Sequence, residues 1–173
     1  MIGTDSDRLQ AVVDTPFGRF SVAATAQGLC AVAPLAARAA ASKPAPEPAP
    51  AVETEPGEAR AHLAAATTAL RAYCAGDPTP YGGALDLAGS EFRLRVLRRV
   101  LGIPYGGQVT YGAIARELGV PGEARAVGQA IAANSIAILV PCHRVVGADG
   151  TQRGYAWGLD LKGRLLAHEL RIG

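Results

Sequence analysis

Residues Ile136 to Gly150, IAILVPCHRVVGADG, set a thiol, an imidazole and a guanidinium on three consecutive residues, Cys142, His143 and Arg144. The aliphatic run Ile136–Val140 before them reads as a buried strand or extended segment. Pro141 then fixes the backbone just ahead of the cysteine. Thiolate is the reactive form of cysteine, and cationic or basic neighbours favour it over the thiol. Cys142 is therefore a candidate nucleophile. Cysteine more commonly serves as a small, inert core residue, and Cys30 and Cys74 are read that way. An adjacent Cys-His pair also suits a metal. No second cluster of Cys or His completes a zinc site, however, so neither metal nor cofactor is expected. His62 and His168 stand alone, His62 as a surface helix residue.

The elements that must position this stretch come next. SEFRLRVLRRVLG predicts a helix capped by Ser90 and stopped by Gly102, with Phe92, Val96 and Val100 on or near one face. Arg93, Arg95, Arg98 and Arg99 decorate the rest. After the turn IPYGGQ, Thr110 caps a short helix, YGAIAREL, which ends at Gly119. GVPGE then turns into a second helix, ARAVGQAIAAN. Short helix, glycine-containing turn and second helix form the helix-turn-helix pattern. On that second helix Val127, Ala130, Ile131 and Asn134 share a core-like face. Arg125, Gly128, Gln129, Ala132 and Ala133 share a small, polar one. A helix pressed into a minor groove roughly 6 Å wide needs small residues at the contact. Close packing against another protein element needs them equally.

Upstream, QAVVDTPFGRFSVAATAQGLCAVAPL predicts a small antiparallel meander broken at Thr15-Pro16, Phe17-Gly18 and Gln27-Gly28. Residues 38–57 hold Pro44, Pro46, Pro48, Pro50 and Pro56 and read as a semi-extended linker or mobile loop. A helix over about 58–74 follows, with Leu63, Leu70 and Tyr73 on its buried stripe and Gly76 at its end. The expected fold is α/β: a small N-terminal α/β domain with an antiparallel sheet (1–85), then a mainly helical, winged-helix-like domain carrying the helix-turn-helix (86–173).

The chain has 173 residues, 49% of them hydrophobic and 18% charged, with a net charge of +2. That length builds a real core, and the apolar share excludes wholesale disorder. No apolar run reaches the roughly 18 residues of a membrane span. MIGTDSDRLQ carries acids where a secretory signal carries basic residues. Three cysteines without a C-x-x-C pair argue against a disulfide framework. A soluble cytoplasmic monomer with no membrane partner is expected. Residues 1–89 hold six basic against nine acidic side chains, a balance of −3, whereas residues 90–173 hold eleven against six, a balance of +5. Nearly all cations of the second half are arginine, suited to phosphate forks and base edges. A solvated face gives the same count.

Pro141-Cys142-His143-Arg144-Val145 resembles the active-site signature of the O6-alkylguanine-DNA alkyltransferases, or methylated-DNA–protein-cysteine methyltransferases. The resemblance extends through the C-terminal half. Tyr111-Gly112 with Ile114-Ala115 is similar to the first helix of that family's helix-turn-helix, and Arg125-Ala126-Val127-Gly128 to its recognition helix. Asn134 matches the hinge asparagine. Tyr155, Trp157-Gly158, Leu159 and Lys162 match the loop closing the pocket, and Leu166-Ala167-His168-Glu169 the closing helix. The resemblance implies DNA repair by transfer of an alkyl group from guanine O6 in duplex DNA, with thymine O4 as an alternative donor, to Cys142, once per chain. His143 is then the base, acting through a water, and Glu169 orients it. Tyr111 and the N–H of Ala156 face O6, and the carbonyls of Cys142 and Val145 read the guanine amino group. Asn134, Val145, Tyr155, Ala156 and Trp157 line the substrate pocket. Arg125 fills the stack left by the flipped nucleotide, while Ala126, Gly128, Gln129 and Ala132 meet the minor groove. Ser135 and Ala137 stand where relatives often have proline, which questions the rigidity of the loop. Trp157 replaces a small residue in many relatives and is expected to narrow the pocket. Three alternatives are a non-catalytic alkyltransferase-like lesion-binding protein, a winged-helix regulator and a cysteine hydrolase. The first typically lacks the cysteine, the second leaves Cys142, His143 and Glu169 unexplained, and the third has no visible pocket.

Overall fold

Alternating apolar residues and two tight turns make the first described segment a meander. In the computed structural model, which describes residues 8–35, 57–152 and 154–172 (Ile172 by its backbone alone), β1 (Leu9–Thr15), β2 (Gly18–Thr25) and β3 (Gly28–Pro34) form an antiparallel sheet in that order. Residues 38–56 of the expected linker lie outside the described residues. Gly28 has φ +150, and a Cβ there would lie 2.6 Å from the Ala84 carbonyl. Only glycine permits that approach, which lets Leu29 N–H donate to Ala84 O at 2.9 Å.

Helix α1 (Glu58–Cys74) covers the sheet, burying Ala66, Leu70 and Tyr73 against residues such as Phe20, Val22 and Val32. Leu63 is only half-buried. Helix α2 (Glu91–Leu101) starts as predicted, with the Ser90 side chain accepting from Arg93 N–H, and buries Val96, Leu97 and Val100. Phe92, expected on the buried face, is half-exposed, and Leu97 is buried in the stripe.

Strand β4 (Val109–Thr110) leads into α3 (Tyr111–Glu117), capped by the Thr110 hydroxyl. Helix α4 (Ala124–Ala132) follows and packs on both α2 and α3. Three of the four α2 arginines brace this pair. Arg93 donates to Ala133 O, the C-cap of α4. Arg95 donates to Leu118 O, the C-cap of α3, at 2.9 Å, and Arg99 pairs with Glu117. Cations on carbonyls at helix C-termini oppose the helix dipole, so much of the basic excess serves the fold.

Ile136–Val140 is buried as expected, but it is no strand. Only Ile136 forms a bridge, with Val32, and residues 137–140 turn. Leu139 N–H donates to Ala137 O and Cys142 N–H to Val140 O, both at 2.7 Å. These short local bonds, rather than a ladder, satisfy the buried backbone. Ile138 takes φ +67, costly for a β-branched residue and sustained here by full enclosure. A 3-10 turn at Cys142–Arg144 follows. Then β5 (Val145–Val146) pairs in parallel with β4, and α5 (Leu159–Ile172) closes the chain.

Ser135 and Ala137 both anchor this segment to β3. Ser135 Oγ donates to Cys30 O at 2.9 Å, and Ala137 N–H donates to Val32 O at 2.8 Å. Proline supplies neither donor. The loop thus gains its rigidity from hydrogen bonds to the N-terminal sheet.

Candidate active site

Cys142 is 2% exposed and opens the 3-10 turn. Its sulfur accepts from Asn134 Nδ2 at 3.2 Å. Asn134 sits just past the α4 C-cap, and its amide also bonds both polar backbone atoms of Ile136, giving to the carbonyl at 2.9 Å and taking the N–H at 3.0 Å. One side chain therefore ties the end of α4 to the buried turn and to the sulfur.

The sulfur does not rest as a thiolate. Burial pushes the Cys142 thiol up to about 11, outweighing the hydrogen bond from Asn134, the Lys162 charge and the nearby Tyr155 hydroxyl. Arg144, expected to favour the thiolate, turns away from it. Its guanidinium grips Glu169 through Nε at 3.0 Å and Nη2 at 2.9 Å, and gives Nη1 to Ile103 O at 2.7 Å. The cation that acts on the sulfur is Lys162, fully buried on α5, with Nζ donating to Val145 O at 2.7 Å.

His143 is also fully enclosed. Its Nε2 lies 2.7 Å from Glu169 Oε1. Glu169 is buried, not a solvated acid at a helix end, and accepts additionally from Tyr73 Oη at 2.9 Å and Gly106 N–H at 3.0 Å. Against burial, the hydrogen bonds from His143 and Arg144 and then the charges of these two side chains hold the carboxyl down at about 2. An ionised Glu169 only accepts, so Nε2 carries the hydrogen and Nδ1 is the bare nitrogen. Among the described residues Nδ1 has no hydrogen-bond partner. Burial, exceeding the pull of Glu169, lowers the His143 pKa. The ring is neutral at pH 7, with a lone pair free to take a proton.

Of the expected pocket residues, Tyr111 and Tyr155 lie near enough to Cys142 to feel its charge, and Val145 bonds to the turn that carries it. Tyr111 begins α3, its hydroxyl donating to Gly154 O at 3.2 Å, and its pKa is raised first by burial and then by Cys142. Tyr155 has its hydroxyl pushed far up by burial, then by Cys142, and its ring meets Trp157 edge-on at 5.4 Å. Ala156 is exposed. The Val145 carbonyl takes the Lys162 ammonium, and the Cys142 carbonyl takes Val145 N–H. On α4, Arg125, Gln129 and Ala132 are exposed, and Ala126 and Gly128 are half-buried. A Cβ at Gly128 would meet only the Tyr111 ring, at 3.8 Å. That is ordinary contact, so protein packing does not require the glycine.

Sequence reasoning overlooked Tyr73, Gly106 and the bond from Arg144 to Glu169. Tyr73 was visible only as one apolar position on a helical stripe, 96 residues from its carboxylate partner. Among the described residues no three His, Cys, Asp or Glu side chains form a group able to hold a metal ion, and no helix is long and apolar enough to cross a membrane.

Two family models match this chain. Residues 9–95 match the ribonuclease-like domain of 6-O-methylguanine DNA methyltransferase, and residues 91–171 match its DNA-binding domain. The chain belongs to this family. A methylated-DNA–protein-cysteine methyltransferase of Mycolicibacterium paratuberculosis is 54% identical over 109 residues, which are 63% of this chain and 66% of the relative. The Mycobacterium leprae enzyme of the same name is 52% identical over 62% of this chain and 65% of its own length. The matched region thus spans slightly under two-thirds of these curated relatives. The crystal structure of Mycobacterium tuberculosis OGT in complex with DNA superposes with a TM-score of 0.77 at 36% identity, covering 93% of this chain and 92% of that one. The small antiparallel sheet followed by a helical C-terminal part is the same fold.

Proposed function

We propose that this chain repairs DNA by moving an alkyl group, such as methyl, from O6 of guanine in duplex DNA onto Cys142, irreversibly and once per chain. The observation that carries this reading is the buried array Cys142, neutral His143 with bare Nδ1, and ionised Glu169, set directly behind a helix-turn-helix. The target atom is inaccessible within a duplex, so the nucleotide is flipped out at a cost of a few kcal/mol. Arg125 fills the vacated stack, and Ala126, Gly128, Gln129 and Ala132 face the minor groove. The spare room at Gly128 supports a surface kept small for an external partner.

In the transfer, His143 Nδ1 takes the proton of Cys142 through a water, and the sulfur forms a bond to the alkyl carbon. The carbon–O6 bond breaks and its electron pair stays on the guanine, where Tyr111 and the Ala156 N–H donate hydrogen bonds. Glu169 holds the imidazole and stabilises its charged form. With a thiol near 11, ionisation occurs with substrate in place rather than in the resting protein. The thioether has no facile leaving chemistry, which limits each chain to one turnover. Residues 86–173 carry out binding and transfer, braced by residues 1–85, as a monomer in the cytoplasm, where thiols stay reduced.

Incubation with duplex DNA containing one O6-methylguanine tests this. The Cys142 peptide gains a methyl-sized mass with a ceiling of one methyl per chain, and Cys142→Ala gains none while still binding the duplex. Tight binding without any mass increase on Cys142 would identify a lesion-binding protein instead. Product accumulating beyond the molar amount of protein would overturn the single-turnover step.

A further inference from the structure

Helix α1 belongs to the N-terminal part, for which the sequence offers no chemistry, yet its last turn reaches the centre of the site. Tyr73 is 6% exposed. Its hydroxyl donates to Glu169 Oε1 at 2.9 Å and lies 3.4 Å from His143 Nε2. Oε1 is the oxygen that His143 Nε2 itself uses, so phenol and imidazole converge on one acceptor. We infer that Tyr73 is a positioning residue for the alkyl transfer, holding Glu169 Oε1 in line with the His143 ring and moderating the basicity of His143.

The surroundings are built to keep that hydroxyl in place. The Tyr73 ring meets His143 at 6.1 Å and Tyr105 at 5.8 Å, both edge-on, and packs against His168 at 5.6 Å. His168 Nε2 contacts the Tyr73 carbonyl at 2.9 Å, fixing the end of α1 to α5. Burial, then the Glu169 charge, pushes the phenol well above its ordinary range. Tyr73 therefore remains a donor at every working pH and never takes the proton that leaves Cys142.

Its electrical effect has a definite sign. The groups facing His143 are Glu169 and Lys162 from α5, Arg144 beside it and Tyr73 from α1, while Tyr105, in the loop after α2, packs on Tyr73 and not on the imidazole. Glu169 alone favours the imidazolium. Each donor on its carboxylate drains charge from Oε1 and weakens that support. Removing the Tyr73 hydroxyl leaves more charge on Oε1 and raises the His143 pKa. Because His143 must be neutral to accept the thiol proton, the acid limb of the rate profile moves to higher pH. Loss of alignment lowers the plateau as well.

The inference rests on the alkyl-transfer reading, and the stoichiometry of that reaction separates the two. The end-point in methyl groups per chain counts folded, competent protein, and the single-turnover rate reports the chemistry. Wild type, Tyr73→Phe and Tyr105→Phe are compared with the methylated duplex across pH, alongside an NMR titration of His143 in the free proteins. The Tyr73→Phe variant keeps its ring. Its end-point is expected to stay at one methyl per chain, with the plateau rate down on the order of ten-fold and both the acid limb and the His143 titration shifted upward. Tyr105→Phe, which loses only a hydroxyl with no hydrogen-bond partner among the described residues, keeps wild-type behaviour. If Tyr73→Phe matches wild type in rate and titration, or falls only in proportion to its end-point, Tyr73 is a packing residue and the inference fails. If wild type itself transfers no methyl, the alkyl-transfer reading fails and takes this inference with it.

Discussion

At Cys142 two opposing effects act on one sulfur, and magnitudes decide between them. Asn134, Lys162 and Tyr155 each favour the thiolate, but burial outweighs all three and leaves the thiol near 11. At pH 7 the thiolate is then roughly one molecule in ten thousand. Such a resting state protects the sulfur from adventitious oxidants and alkylating agents, which attack thiolates. In a Cys30→Ser, Cys74→Ser variant, thiolate absorbance of the native protein should rise with a midpoint near 11. A midpoint at or below 8 would mean that the sulfur is activated before DNA arrives. The direction follows from the raised pKa: the neutral thiol is the form the fold favours, and folding stability falls as pH climbs through the value near 11.

At the scale of elements, the helix pair α3–α4 is held from behind by arginines of α2 at two helix C-termini, leaving the outer face of α4 to Arg125, Gln129 and Ala132. Gly128 is informative because the two explanations for it predict opposite signs. Glycine in a helix interior costs about 1 kcal/mol relative to alanine, and the Cβ would meet Tyr111 at an unstrained 3.8 Å. Gly128→Ala should therefore raise the melting temperature while weakening binding to duplex DNA. Thermal melts and a binding titration check both; a variant that melts lower would mean the glycine serves internal packing. The α4 pattern was legible from spacing alone, since Val127, Ala130 and Ile131 are buried as their three- and four-residue separations require. The turn at 137–140 was not legible. An aliphatic run of that length looks alike in a strand and in an enclosed turn, and local i to i+2 bonds leave no compositional trace.

For the whole molecule, the two family-matched parts share one hydrophobic core running from Val13 and Phe20 through Leu70 and Val96 to Leu165. Polar ties cross between them as well: Val32 N–H to Ser135 O at 2.9 Å, Arg164 to Pro16 O at 2.7 Å, and Tyr73 to Glu169. Separate unfolding of either part would expose apolar surface and part the Tyr73 hydroxyl from the buried Glu169 carboxylate, leaving a buried polar group short of a partner. Heating should accordingly give one cooperative transition, with calorimetric and van't Hoff enthalpies equal. Two resolved transitions would show that the parts fold independently.

Identity and order of the chemical groups were already readable in the chain. Proline, cysteine, histidine and arginine are adjacent in sequence, and helix spacing sorts α4 into an inner and an outer face, because both are local properties of a polypeptide. Charge state and long-range partnership were not. Whether Cys142 rests as thiol or thiolate depends on how much water the fold removes, and whether Arg144 serves the sulfur or Glu169 depends on where α5 packs. Tyr73 joins the site only because α1 docks with its last turn against a carboxylate 96 residues away. Desolvation and through-space contact belong to the folded state, and no periodicity along the chain encodes them.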